Sequence, residues 1–201
     1  MTVSKQIENR VHGHGPGWVF SPNDFLDLGS PHTVGMVLTR MVRGGQIRRL
    51  ARGLYDFPRT DPQLGLLSPS VDMIAETLAR RDGVRLQPSE AAAANILHLS
   101  DQVPMRVVYE TDGPPRKITV GTLTIQFRRR VPRKMATAGK MSGLVFAALR
   151  GLGKRYVTQE QVSHLRQLLS PEDRRCLLHD LPQAPAWMHP FLRYIAKDEV
   201  Q

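Results

Sequence analysis

Cysteine is almost absent from the chain. Cys176 stands alone among 201 residues, which excludes an internal disulfide framework and suits a reducing compartment. Long apolar runs are missing too: none approaches the roughly 18–20 residues that a membrane-spanning helix needs, so no membrane partner is expected. The N-terminal stretch MTVSKQIENRVHGHG lacks the apolar centre of a secretory leader, and a cytoplasmic location is the expectation. Acidic side chains are scarce, 18 against 28 Lys and Arg for a formal charge of +10, and between Gly113 and Gln159 there is none at all. An excess of this kind favours a polyanionic partner over an acidic small substrate, with nucleic acid ahead of an anionic membrane surface.

What is present reads as two domains, since 201 residues at 41% hydrophobic composition can bury one large core or two modest ones. In VSKQIENRV, Val3, Ile7 and Val11 recur every four residues, one face of a short helix that Gly13, Gly15 and Gly17 then stop. SPNDFLDLG carries a capping Ser21, Pro22 at the first helical position and Asp24 at the positive end of the helix dipole. The signal recurs in SPHTVGMVLTRMVRGG. Ser30 caps, Pro31 starts, and Val34, Val37, Leu38, Met41 and Val42 form an apolar stripe. Two capped helices joined by a glycine turn read as helix-turn-helix.

Burying that stripe leaves Ser30 at the helix start and His32, Thr33, Met36, Thr39, Arg40 and Arg43 facing outward, a face with two cations and no acid. Next, QIRRLA and LYDFP read as strands on either side of Arg52-Gly53. This hairpin is the expected wing of a winged helix, in which Arg48, Arg49 and Arg52 lie along phosphates beside the groove occupied by the recognition helix. A solvated hairpin that carries arginine only for solubility is the alternative. His12 and His14, close to this face, read as loop residues.

At this point SPHTVGMVLTRMVRGGQIRRLARGLYDFP resembles the winged-helix segment of AbiEi-type antitoxins of bacterial type IV toxin–antitoxin systems, most closely over residues 40–55. The resemblance implies a transcriptional repressor that binds inverted repeats in its own promoter as double-stranded DNA. It also implies a cognate nucleotidyltransferase-like toxin as partner. Carried over by position, Thr39 and Arg40 fall on the recognition helix, and Arg48, Arg49, Arg52, Gly53 and Tyr55 on the wing. The remainder resembles the family's second domain more loosely, through DMIAETLARRDG, VVYETDGPPRKITVG and FRRRVPRK.

The expected organisation is α+β: a winged helix-turn-helix over residues 1–60, a linker over 61–70 where DPQLGLLSPS collects prolines and small polar residues, and a mixed α/β domain with a helical tail over 71–201. In the second domain Ser70 and Ser89 can cap helices. VRLQP, PMRVVYETDG, KITVG and TLTIQFRRRV read as strands, the last two as a hairpin about Gly121. The acid-free stretch supplies a possible second basic surface at Arg116, Lys117, Arg128, Arg129, Arg130, Arg133 and Lys134. Three readings of it stay open: a second nucleic-acid surface, a docking face for RNA or a toxin, and a merely solvated face.

Catalysis is not expected, nor any cofactor or metal. Glu110 and Asp112 in VVYETDG are the best candidates for a metal-dependent nuclease. The next strand, however, offers Gln126 and Arg128 where an acid and a lysine would be wanted, and arginine cannot act as the base. GLGK at 151–154 lacks the preceding strand and following hydroxyl of a phosphate-binding loop, and Gly151 reads instead as a helix stop. Cys176 and His179, three apart on a helix, fall short of a tetrahedral metal site.

Overall fold

The computed structural model describes residues 1–102 and 105–197. Pro104, at the head of the expected strand PMRVVYETDG, and residues 198–200, at the end of the expected last helix, lie outside the described residues. The chain is a mixture of helices and small sheets, as the expected α+β class requires. It divides into two compact units, residues 1–84 with 117–125, and residues 85–116 with those from 126 onwards, and there are two separate apolar clusters.

In the first unit, α1 (Val3–His14) starts where Thr2 Oγ1 accepts from the Lys5 amide (3.4 Å) and ends at Gly15 in the left-handed region. Ile7 and Val11 are buried, as their spacing predicts. The helix runs one turn further than expected, so His12 and His14 are not loop residues. His14 stacks on Trp18 with centroids 3.9 Å apart, and His12 meets Phe57 edge-on at 5.1 Å. Pro22–Phe25 is a 3-10 turn whose Ser21 amide donates to Asp24 Oδ2 at 2.7 Å.

α2 (Pro31–Arg43) begins where the Thr33 amide donates to Ser30 Oγ (3.2 Å), and it buries Val34, Val37, Leu38 and Met41 against Ile7, Val11, Phe20 and Phe25. The spacing 34, 37, 38, 41 places all four on one side of the cylinder. β2 (Arg48–Ala51) and β3 (Leu54–Asp56) flank Arg52-Gly53, where Gly53 takes φ +68°. A strand not expected from the sequence, β1 (Val19–Phe20), pairs antiparallel with β3, giving the order β1-β3-β2.

The expected linker is structured. β4 (Thr60–Asp61) and β5 (Gly65–Leu66) form a two-stranded ribbon. Its turn is held by Asp61 Oδ1, which accepts from the Gln63 and Leu64 amides at 2.8 and 3.0 Å, and these bonds hold the Asp61 carboxyl below the usual carboxylate range. The same Asp-Pro-x-x-Gly composition that suggests a linker therefore specifies a tight turn. α3 (Val71–Asp82) belongs to the first unit, so the boundary falls near residue 84 and not between 61 and 70. Thr77 Oγ1 donates to the Val19 carbonyl (3.0 Å) and Arg80 Nε to Asp24 Oδ1 (3.0 Å), which ties α3 to β1 and to the 3-10 turn.

The remaining strands are β6 (Leu86–Pro88), β7 (Val107–Thr111), β8 (Arg116–Val120) and β9 (Leu123–Arg129), hydrogen-bonded in the order β6-β7-β9-β8, with β6 antiparallel to β7. The expected turn at Gly121, φ +60°, is present. The helices are α4 (Glu90–Ile96), α5 (Met141–Leu152), α6 (Gln159–Leu168), α7 (Pro171–His179) and α8 (His189–Ala196). α5 is the central one, with Val145, Phe146, Ala147, Ala148 and Leu149 all buried in the second cluster. Near its start, burial pushes the Asp180 carboxyl up, but bonds from Ser142 Oγ (2.6 Å), His179 Nδ1 (3.1 Å) and Lys140 Nζ (3.1 Å) outweigh this and hold it below the usual range. Among the described residues no helix is long and apolar enough to cross a membrane.

Candidate nucleic-acid interface

An open groove of about 640 Å³ runs along the outer face of α2 and is closed on one side by the β2–β3 hairpin. His32, Met36, Thr39, Arg40 and Arg43 line it from the helix, Arg49 and Tyr55 from the strands. Helical spacing explains the first set, since positions 32, 36, 39, 40 and 43 lie opposite the buried stripe. Strand pairing explains the second, since Arg49 stands directly across from Tyr55. The lining carries three guanidinium groups and no carboxylate. Met36 is about half exposed at 49%, an apolar patch among the cations. Thr39 Oγ1 donates to the Gly35 carbonyl at 2.7 Å, so its proton is committed within the helix.

Not every expected residue reaches this groove. Ser30 and Thr33 cap the helix: the Thr33 amide donates to Ser30 Oγ and their hydroxyls lie 2.9 Å apart. Arg52 is exposed at the hairpin turn, outside the groove lining. The main correction concerns Arg48. It pairs across the strands with Asp56, whose side chain is 1% exposed. The guanidinium grips both carboxylate oxygens, with Nε 3.0 Å from Oδ1, and also donates to the Leu67 carbonyl at 2.9 Å. An arginine with these partners holds β2, β3 and the chain after the β4–β5 ribbon together. Its Nε and one terminal nitrogen are committed within the protein, so it is not the free wing cation that the sequence suggests.

The groove also contains Pro31 and Gly35, which side-chain chemistry alone does not flag. Gly35 was discoverable from its place on the outer stripe. A Cβ added there would meet nothing within 4 Å, so packing inside the protein does not call for glycine at this position.

Of the seven residues of the possible second basic surface, Arg128 and Arg130 line one recess beside Glu110, and Arg133 and Lys134 line another. Arg130 donates from Nε to Glu110 at 2.7 Å, a bond that raises its own pKa. Arg116 lies over the Phe127 ring at 4.9 Å. Lys117 counts with the first unit. Arg128 and Arg129 are consecutive in β9, so the pleat turns them to opposite faces. The carboxylates weighed for a nuclease both have arginine partners. Glu110 is buried against Arg130, and Asp112 accepts from the Arg85 side chain and amide, each at 2.8 Å, which hold it below the usual carboxylate range. Gly151 is not the helix stop. It lies inside α5, which Gly153 ends at φ +82°.

No curated protein matches the chain. Among solved structures, the crystal structure of the RV2827C protein from Mycobacterium tuberculosis is similar with a TM-score of 0.39 and 17% sequence identity, over 89% of this chain and 71% of that one. Residues 6–177, most of the chain, match the family of unknown function DUF6088, and the protein belongs to that family.

Proposed function

We propose that the first unit is a winged helix-turn-helix that binds double-stranded DNA, with α2 as recognition helix in the major groove and the β2–β3 hairpin as wing. The observation that carries this reading is the acid-free groove that sets Arg40, Arg43 and Arg49 beside Met36 and Thr39. Arginine forks suit guanine edges, and methyl and thioether groups suit the thymine methyl. The resemblance of residues 40–55 to AbiEi-type antitoxins supports the narrower proposal: a non-catalytic repressor of its own promoter, acting as antitoxin to a nucleotidyltransferase-like toxin. Its operator would present half-sites about one DNA turn apart.

With Arg48 committed to Asp56, the wing offers two cations to phosphates. Anisotropy titrations of a random-sequence duplex across a range of salt test this, because phosphate contacts do not depend on sequence. Arg49→Ala/Arg52→Ala flattens the plot of log affinity against log salt by roughly two ion equivalents. A slope that does not change removes the wing from the interface.

Gly35 supplies a second test. Glycine within a helix costs about 1 kcal/mol relative to alanine, and the open space around it leaves close approach of a partner as its physical use. Gly35→Ala raises the melting temperature of the protein and weakens DNA binding. A stabilised variant that binds as well as the parent would argue against a duplex seated on this face.

A further inference from the structure

The second unit holds a cavity of about 280 Å³ that the DNA-binding reading leaves unused. Its floor is Phe146 of α5, 1% exposed, with Pro185 and Val131 as apolar walls. Arg133 and Lys134, neighbours on the 3-10 turn Pro132–Met135, stand exposed at its rim. Thr137, Gln183 and Arg150, the last one turn along α5 from Phe146, complete the lining, and Arg150 Nε is buried without a hydrogen-bond partner. No carboxylate lines the cavity. Arg150 forms an ion pair with Glu90, whose Oε1 lies 3.6 Å from Nε, beyond hydrogen-bond range. Burial lowers the pKa of Arg150 against the raising influence of Glu90 and Glu110, so the fold carries a guanidinium in a place that opposes its charge.

These features coincide with the acid-free stretch of the sequence. Two walls of the cavity, at 131–137 and 146–150, come from within residues 113–159, where no Asp or Glu occurs. Three of the eleven basic residues of that stretch, Arg133, Lys134 and Arg150, meet at this apolar recess.

We propose that this cavity is a binding site for a compact phosphate monoester, a single ring or similar apolar body carrying one phosphate. The apolar body would lie on Phe146 and Pro185, and the phosphate would bridge Arg150 and the Arg133-Lys134 rim. Size and charge set the class. The volume lies just below the range of about 300–1,000 Å³ typical of drug-sized sites, which excludes dinucleotides. Three cations against Glu90 leave an excess that a phosphate dianion matches better than a carboxylate, and arginine and lysine are the side chains that bind phosphate oxygens best. The inference is independent of the DNA-binding proposal, because every lining residue belongs to the second unit.

Calorimetry and two-dimensional NMR on the full chain test it with three probes: phenyl phosphate, inorganic phosphate and benzyl alcohol. Phenyl phosphate binds saturably and at least about tenfold more tightly than either half of its structure alone, with shifts centred on the amides of Phe146 and Arg150. Arg133→Ala/Lys134→Ala, at exposed positions that leave the fold intact, weakens phenyl phosphate by roughly tenfold or more, and Arg150→Gln abolishes it. Thermal melts of the Arg150 variant establish that it is folded before it is scored, and the rim variant decides the matter if it is not. Failure of phenyl phosphate to saturate by about 10 mM, equal affinity for inorganic phosphate, or indifference to the rim substitutions would each overturn the assignment.

Discussion

Arg48→Ala lowers the stability of the first unit by about 3 kcal/mol, a large part of the 5–15 kcal/mol that holds a typical domain folded, while Arg49→Ala changes it by less than about 0.5 kcal/mol. The two arginines are adjacent in sequence and opposite in role. Asp56 is buried at 1% side-chain exposure, and its two oxygens are satisfied by the Arg48 guanidinium. Truncating Arg48 strands that carboxylate in the interior and also removes the donor to the Leu67 carbonyl. Losing one member of a buried pair costs far more than the pair contributes over an apolar replacement. Arg48→Leu/Asp56→Leu therefore recovers most of the loss, whereas Arg48→Lys recovers little, because a single ammonium lacks the planar fork that spans the carboxylate. Urea denaturation of the four variants beside the parent gives the comparison. If Arg48→Ala proves as mild as Arg49→Ala, the pair is not structural and Arg48 returns to the wing. On the proposed DNA-binding reading, affinity runs the other way, with Arg49→Ala weakened at unchanged stability.

Part of this division was legible. Period-two alternation already says that Arg48 and Arg49 cannot share a face of one strand, so three wing arginines in a single patch was more than the hairpin allows. Which of the two meets Asp56 was not legible. A regular hairpin about Arg52-Gly53 pairs Ala51 with Leu54 and would carry on to set Arg49 across from Asp56. The register instead shifts between Arg49 and Ala51, so Arg49 faces Tyr55 and Arg48 faces Asp56. One bulged residue exchanges the roles of two arginines, and nothing in the local composition announces it.

The outer face of α2 was readable because helical period and capping residues agree there: Ser30, Pro31 and the 34-37-38-41 stripe fix both the start and the rotation of the helix. Connections were read less well, since turn-forming residues mark a compact ribbon and an open linker alike. Contacts distant in sequence, Thr77 to Val19 and Arg80 to Asp24 among them, join α3 to the first unit. The run of positive charge from 113 to 159 was plain, but its distribution among faces depends on strand pairing and on which carboxylates arrive from β7.

Glycines within α5 give the largest stability effect expected in the second unit. A Cβ at Gly143 would lie 2.1 Å from the Thr137 carbonyl oxygen and 2.8 Å from Gln87 Oε1; one at Gly151 would lie 2.9 Å from the Glu90 carbonyl oxygen. In both cases the first obstacle is backbone, which cannot rotate away as a side-chain end can. Gly143→Ala must therefore displace α5 from the segment before it, and α5 carries Val145, Phe146 and Leu149 at the centre of this unit's core. Overpacking of a core usually costs 1–3 kcal/mol, and a backbone collision this close puts Gly143→Ala at or above about 3 kcal/mol. Gly151→Ala, with a smaller overlap, falls within that range. Trp187 packs against the second core and Trp18 against the first, so urea titrations of Trp18→Phe and Trp187→Phe backgrounds report the two units separately. The Trp187 transition moves strongly to lower urea with Gly143→Ala, and an unmoved Trp187 midpoint would show that α5 does not approach the Thr137 backbone as closely as described.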